Sequence, residues 1–112
     1  MGLERINQVL QTLREAGFRV RRGFVSDKMP CLTEIAATVS LYEDASKGVT
    51  VMAAIYAPEK LGGVACEDAG LRALAALRQL GAECTLQWCS FDRTIGLFSM
   101  ELLAFFALEV AE

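Results

Sequence analysis

Apolar side chains near the N-terminus recur at the spacing of one helical face. The members of this face are Leu3, Ile6, Val9, Leu10 and Leu13. Polar residues occupy the positions between them, so the pattern predicts an amphipathic helix over residues 3–16. Gly17 stands where a glycine commonly ends a helix. We expect the apolar face of this helix to lie on a sheet.

Three segments that alternate in polarity, or are apolar on both faces, follow this helix. They predict strands over residues 18–25, 32–42 and 49–57. Pro30 places residues 26–30 in a loop, and the polar run over residues 43–48 predicts a turn. Because the third strand is apolar on both faces, we expect it to lie in the centre of the sheet.

The second half of the chain predicts one helix and two strands. Leu71, Leu74 and Leu77 mark an expected buried face of a helix over residues 64–80. Residues 83–91 predict a strand, and a bend at residues 92–93 leads to a closing strand. Within it, residues 99–108 include good helix formers, but their aromatic content and their place after a bend favour a strand.

These elements predict one α+β domain over residues 1–112, in the order α-β-β-β-α-β-β. The sheet is expected to be mainly antiparallel, with both helices on one face. A chain of 112 residues with 54 % apolar residues can fill a core of this kind. Some of its apolar side chains are expected to remain on the surface of so small a domain, where such patches serve partners.

Composition narrows the possible functions. The chain has no histidine, which excludes a Ser-His-Asp triad, a Cys-His pair and any histidine metal ligand. The formal net charge of −3 disfavours nucleic-acid binding, which needs a basic face. No apolar run reaches the length of a membrane span, and the N-terminus does not have the pattern of a signal peptide. We therefore expect a protein of a reducing cytosol with no membrane partner.

The cysteines do not have the spacing of a metal site. They are Cys31, Cys66, Cys84 and Cys89. Zinc sites bring cysteines two to four residues apart in pairs, and on a continuous strand Cys84 and Cys89 would point to opposite faces. We expect free thiols, no metal and no cofactor. Of possible catalytic residues, Cys66, Asp92 and Tyr56 stand out, but none has a visible partner, so we expect no enzyme activity.

Arginines on the first predicted strand form the sharpest charge cluster. Arg19 and Arg21 share one strand face, and Arg22 follows directly. Three interpretations stay open: a solvated edge strand, a subunit interface that meets acids of a neighbouring copy, or contact with a nucleic-acid backbone. Glu43 and Asp44, in the predicted turn, are the candidate acids of such an interface.

The order of elements over residues 3–109, which begins with the helix over residues 3–16 and the three predicted strands, carries a resemblance to a known group of proteins. A strand over residues 51–58 closes on a proline, and Leu61-Gly62-Gly63 leads to the helix that contains Cys66-Glu67-Asp68-Ala69. Cys89-Ser90-Phe91-Asp92 then precedes the closing strand. This order resembles the tail terminator and head–tail joining proteins of long-tailed bacteriophages and prophages.

The resemblance implies structural work. Such proteins form rings, commonly hexameric, that cap the tail tube and offer a surface to the head–tail connector. It implies as partners other copies of this chain, the tail tube protein and the connector protein. It also implies residence in the bacterial cytoplasm during assembly and afterwards in the virion. The alternative is a small non-catalytic interaction or ligand-binding module with another partner.

Overall fold

A computed structural model describes residues 2–23 and 32–108 of the chain. The helices are α1 (Gly2–Glu15) and α2 (Gly62–Arg78), and the strands are β1 (Arg19–Arg22), β2 (Ala36–Ala45), β3 (Gly48–Pro58), β4 (Glu83–Leu86), β5 (Ser90–Asp92) and β6 (Leu97–Ala107). The predicted order is confirmed, with the strand predicted over residues 83–91 divided into β4 and β5. β6 contains residues 99–107, so the prediction of a strand over residues 99–108 is confirmed. The predicted loop over residues 26–30 lies outside the described residues.

The strands form one mixed sheet in the order β1-β2-β3-β6-β4, and β5 pairs with the same strand as β4. β1 runs parallel to β2, and the other pairings are antiparallel. The expected central position of the third strand is confirmed, because β3 pairs with β2 on one side and β6 on the other. β1 and the pair β4–β5 lie at opposite edges of the sheet.

Both helices pack on the same face of the sheet, as the pattern predicted. Val51, Ala53 and Ile55 of β3 are fully buried there, in one core with apolar residues of both helices. On the other face, Leu32 and Ile95 pack against a smaller cluster, whose buried members are Ala54, Tyr56 and Leu97. The helix-covered face therefore holds most of the core of the described residues.

The buried stripe of α2 differs from the expected one. It consists of Cys66, Ala69, Gly70, Ala73 and Leu77. Leu71, expected to be buried, is 55 % exposed, and Leu74 is only partly buried. Small residues lie against the sheet because they let the helix axis approach it: a Cβ atom on Gly70 would come within 2.9 Å of the Met100 sulfur. Leu3 of α1, also predicted on the apolar face, is exposed as well.

The turn predicted over residues 43–48 is shorter than expected. Glu43 and Asp44 belong to β2, which continues to Ala45, and only residues 46–47 form the turn. The pairing with β3 shifts by one residue between Leu41 and Glu43, which is a β-bulge. Local polarity suggested a turn, but the hydrogen-bonded ladder with β3 extends the strand through this segment.

The two leucines of α2 give a matched test of the packing. Replacing Leu77, which is fully buried, by alanine should lower the free energy of unfolding by about 2–5 kcal/mol. The same change at Leu71 should cost less than about 0.5 kcal/mol, because that side chain is more than half exposed. Urea unfolding followed by circular dichroism measures both, and equal losses would contradict the orientation of α2.

Gly48, the first residue of β3 after the β2–β3 turn, allows β3 to approach the end of β6 closely. A Cβ atom there would overlap the backbone oxygen of Phe106 and the ring of Phe105. Because the backbone oxygen cannot move aside, Gly48→Ala should destabilise the fold by about 1–3 kcal/mol, as overpacking does. Lys47→Ala, at the exposed neighbouring position, is the control and should unfold at nearly the same urea concentration as the wild type.

Candidate functional site

The three arginines singled out in the sequence lie on the edge strand β1. Arg19 and Arg21 pair with Ala36 and Thr38 of β2, which places them on the face away from the helices. Arg22 follows on the opposite face, the side covered by helices, and is exposed. The arginines therefore divide between the two faces at one edge of the sheet.

Arg19 has an acidic partner within the same chain. Its Nη1 atom lies 3.6 Å from Glu34 Oε2, and both side chains are largely exposed. A pair of this kind contributes only about 0–1 kcal/mol, because water screens it. Its geometry leaves Arg19 able to exchange Glu34 for another acid at little cost.

Glu43 and Asp44 lie away from the arginines. Arg22 pairs with Val39, and Glu43 is four residues further along β2, a separation of about 13 Å on an extended strand. Asp44 is directed toward the start of α1, since a Cβ atom on Gly2 would lie 3.4 Å from its Oδ2. A carboxylate in that position complements the positive end of the helix dipole. The predicted role of both acids at a subunit interface stays a prediction.

The edge formed by β4 and β5 is broken by a bulge that the sequence did not reveal. Leu86 pairs with Leu102, and Ser90 pairs with Ser99. The chain therefore advances four residues along this edge while β6 advances only three, so the edge contains one extra residue. The Gln87 N–H donates to the Glu101 carbonyl oxygen at 2.9 Å, so the extra residue falls after it. The bulge carries Trp88, whose side chain is 93 % exposed.

We call the exposed apolar side chains of α2 and the bulge the Trp88 patch: Val64, Leu71 and Trp88. Val64 and Leu71 are two helical turns apart on α2 and are 72 % and 55 % exposed. Leu71 and Trp88 line a groove of about 260 Å³ between α2 and the bulge, and Glu67 lies at the same groove. Exposed clusters of large apolar side chains mark contact surfaces for other macromolecules. Trp88 is the sole tryptophan of the chain, and tryptophan is enriched at the centres of protein–protein contacts. Its residue type was therefore the signal in the sequence that could have marked this surface.

The bulge also reverses the expectation for Cys84 and Cys89. Both pack against the core beneath the helices, whereas a continuous strand would point them to opposite faces. Because the bulge adds one residue between them, the two side chains point to the same face of the sheet. The expectation that they would point to opposite faces was wrong. The Cys89 Sγ donates to the Gly63 carbonyl oxygen at 3.8 Å, which joins the bulge to the first turn of α2.

Cys66 is fully buried below this turn. Its Sγ donates to the Ile55 carbonyl oxygen at 3.7 Å. Burial, with further contributions from Cys89 and Glu67, raises the pKa of the Cys66 thiol to about 12. The thiol is therefore neutral at physiological pH, whereas a cysteine nucleophile needs a lowered pKa.

The other two residues considered for catalysis have structural contacts. Burial raises the pKa of Tyr56, with Glu101 and Asp92 adding to that effect and a hydrogen bond with Thr38 opposing it. The Asp92 Oδ1 accepts a hydrogen bond from the Thr94 N–H at 2.9 Å and so closes the turn between β5 and β6. Both residues thus support the sheet.

The described residues, 2–23 and 32–108, contain neither a metal-binding cluster nor a membrane-spanning helix. Within these ranges, no three cysteine or acidic side chains converge on a point where a metal ion could bind. Neither α1 nor α2 combines the length and the apolar character needed to cross a bilayer.

The burial of Cys66 predicts a pH dependence of stability. Since its pKa is raised from about 9 to about 12, the folded state holds a proton that the unfolded state loses above pH 9. The contribution of this protonated thiol to the free energy of unfolding is complete below pH 9 and should be lost as the pH rises through 12. Urea unfolding at increasing pH should show a smaller decline for Cys66→Ala than for the wild type. Identical declines would contradict the burial of this thiol.

Comparison with known proteins gives no independent assignment. No protein-family model matches the chain, and no curated protein matches it significantly.

Proposed function

We propose that this protein is a structural subunit of a bacteriophage or prophage tail, of the tail terminator or head–tail joining kind. It assembles with copies of itself into a ring, such as a hexamer, on the end of the tail tube. The ring stops growth of the tube and docks to the head–tail connector. Assembly takes place in the bacterial cytoplasm, and the ring stays in the virion.

The observation that carries this proposal is the exposure of Trp88. A tryptophan that is 93 % exposed and lines a groove with the exposed Leu71 is costly to hydrate and is typical of the centre of a protein–protein contact. A ring subunit needs such a surface, because each copy contacts two neighbours. The charged residues at the other edge of the sheet supply polar groups suited to the rim of a contact.

The mass in solution tests the proposed assembly. Sedimentation velocity over a wide range of concentrations should show a multiple of the 12.2 kDa chain at high concentration, and electron microscopy should show rings. The same protein, added to tubes grown from the tail tube subunit of the same genome, should bind tube ends and limit tube length. A chain that stays monomeric and leaves tube length unchanged would contradict the proposal.

A further inference from the structure

We infer that the Trp88 patch receives the basic edge strand β1 of a second copy of this chain. This contact rests on the proposed self-assembly and specifies its two surfaces. Arg22 of one copy reaches the groove beside Trp88 of the next, and Glu67 and Asp68 lie at the rim of that contact.

The position of the two surfaces fits a ring. The Trp88 patch borders one edge of the sheet, and β1 forms the other. A cyclic assembly needs two different surfaces on separate parts of each subunit, so that every copy gives one contact and receives one. Surfaces at opposite edges of one sheet satisfy this requirement, because edge-to-edge contact places successive copies side by side.

The charges of the two surfaces are complementary. Arg19, Arg21 and Arg22 make β1 basic. Glu67 and Asp68 are exposed on α2, and Glu67 lines the groove at Trp88. Opposite charges around an apolar centre direct the approach of two partners and fix their register.

The chemistry of Arg22 suits an indole ring. Arg22 lies on the helix-covered side of the sheet, which is also the side of the groove between α2 and the bulge. A guanidinium stacks favourably on an aromatic face, most of all on tryptophan. The chain already uses such contacts internally: the guanidinium carbon of Arg5 lies 4.5 Å from the centre of the Phe106 ring, and that of Arg72 lies 4.9 Å from the centre of the Phe18 ring.

Glu43 and Asp44, the acids that the sequence suggested for a subunit interface, fit a ring less well than Glu67 and Asp68. Glu43 and Arg22 lie on the neighbouring strands β2 and β1, near the same edge of the sheet but on opposite faces. Surfaces this close together on one subunit favour a reciprocal two-fold contact, which closes as a dimer. Tyr42, beside Glu43, is also exposed, at 59 %, so this surface supplies the matched control.

Three single variants test the contact by sedimentation velocity and by capping of tail tubes. Trp88→Ser and Arg22→Glu should each weaken self-association by about tenfold or more, as loss of a contact centre does. Tyr42→Ser should assemble like the wild type, because it removes an exposed aromatic ring from the other surface. Circular dichroism and urea unfolding of each variant confirm that the monomer is folded.

Mixing the two defective variants identifies the pairing. Trp88→Ser retains an intact β1, and Arg22→Glu retains an intact Trp88 patch, so a mixture should form a one-to-one dimer and no ring. In a second experiment, a double variant that carries both Glu67→Arg and Arg22→Glu should self-associate more strongly than Arg22→Glu alone, because the two charges are exchanged across the contact.

The outcomes separate this contact from the proposed function. If the wild type assembles and Trp88→Ser assembles equally well, or if Tyr42→Ser alone prevents assembly, the contact is wrong and self-assembly stands. If the wild type neither self-associates nor caps tubes, the proposed function is wrong, and the contact fails with it.

Discussion

The burial of one face of β3 by both helices is the constraint on which the rest of the structure depends. Val51, Ala53 and Ile55 have no exposed surface, and α1 and α2 lie over them together with the neighbouring strands. Burial of apolar surface is the main favourable contribution to folding in a chain this short. Within the described residues, both helices cover this face, and the edge strands β1, β4 and β5 are largely exposed.

Two β-bulges lie beside the two large aromatic side chains that the sheet exposes. One lies between Leu41 and Glu43 in β2, and the other separates β4 from β5. An extra residue changes the face on which later side chains lie. Near the first bulge Tyr42 is exposed, and at the second Trp88 is exposed while Cys89 turns toward the core. The surface chemistry of the domain thus follows from two local irregularities of pairing.

The buried polar groups of the domain support the fold. Cys66, with a pKa raised by burial, donates a hydrogen bond to the Ile55 carbonyl oxygen of β3. Among the described residues, every buried side-chain nitrogen and oxygen has a hydrogen-bond partner. The groups that are free to meet a partner are therefore at the surface, where the largest apolar group is Trp88.

The sequence by itself determined the element order, the α+β class and the central place of β3, because periodicity and apolar content report burial along each segment. It could not determine which face of α2 meets the sheet: Gly70 and Ala73 lie there and Leu71 does not, since close approach to Met100 selects small residues. Only the tertiary structure placed Glu43 and Asp44 in a strand, separated them from Arg22, and exposed Trp88. Those outcomes depend on the pairing of strands distant in sequence, which no local pattern records.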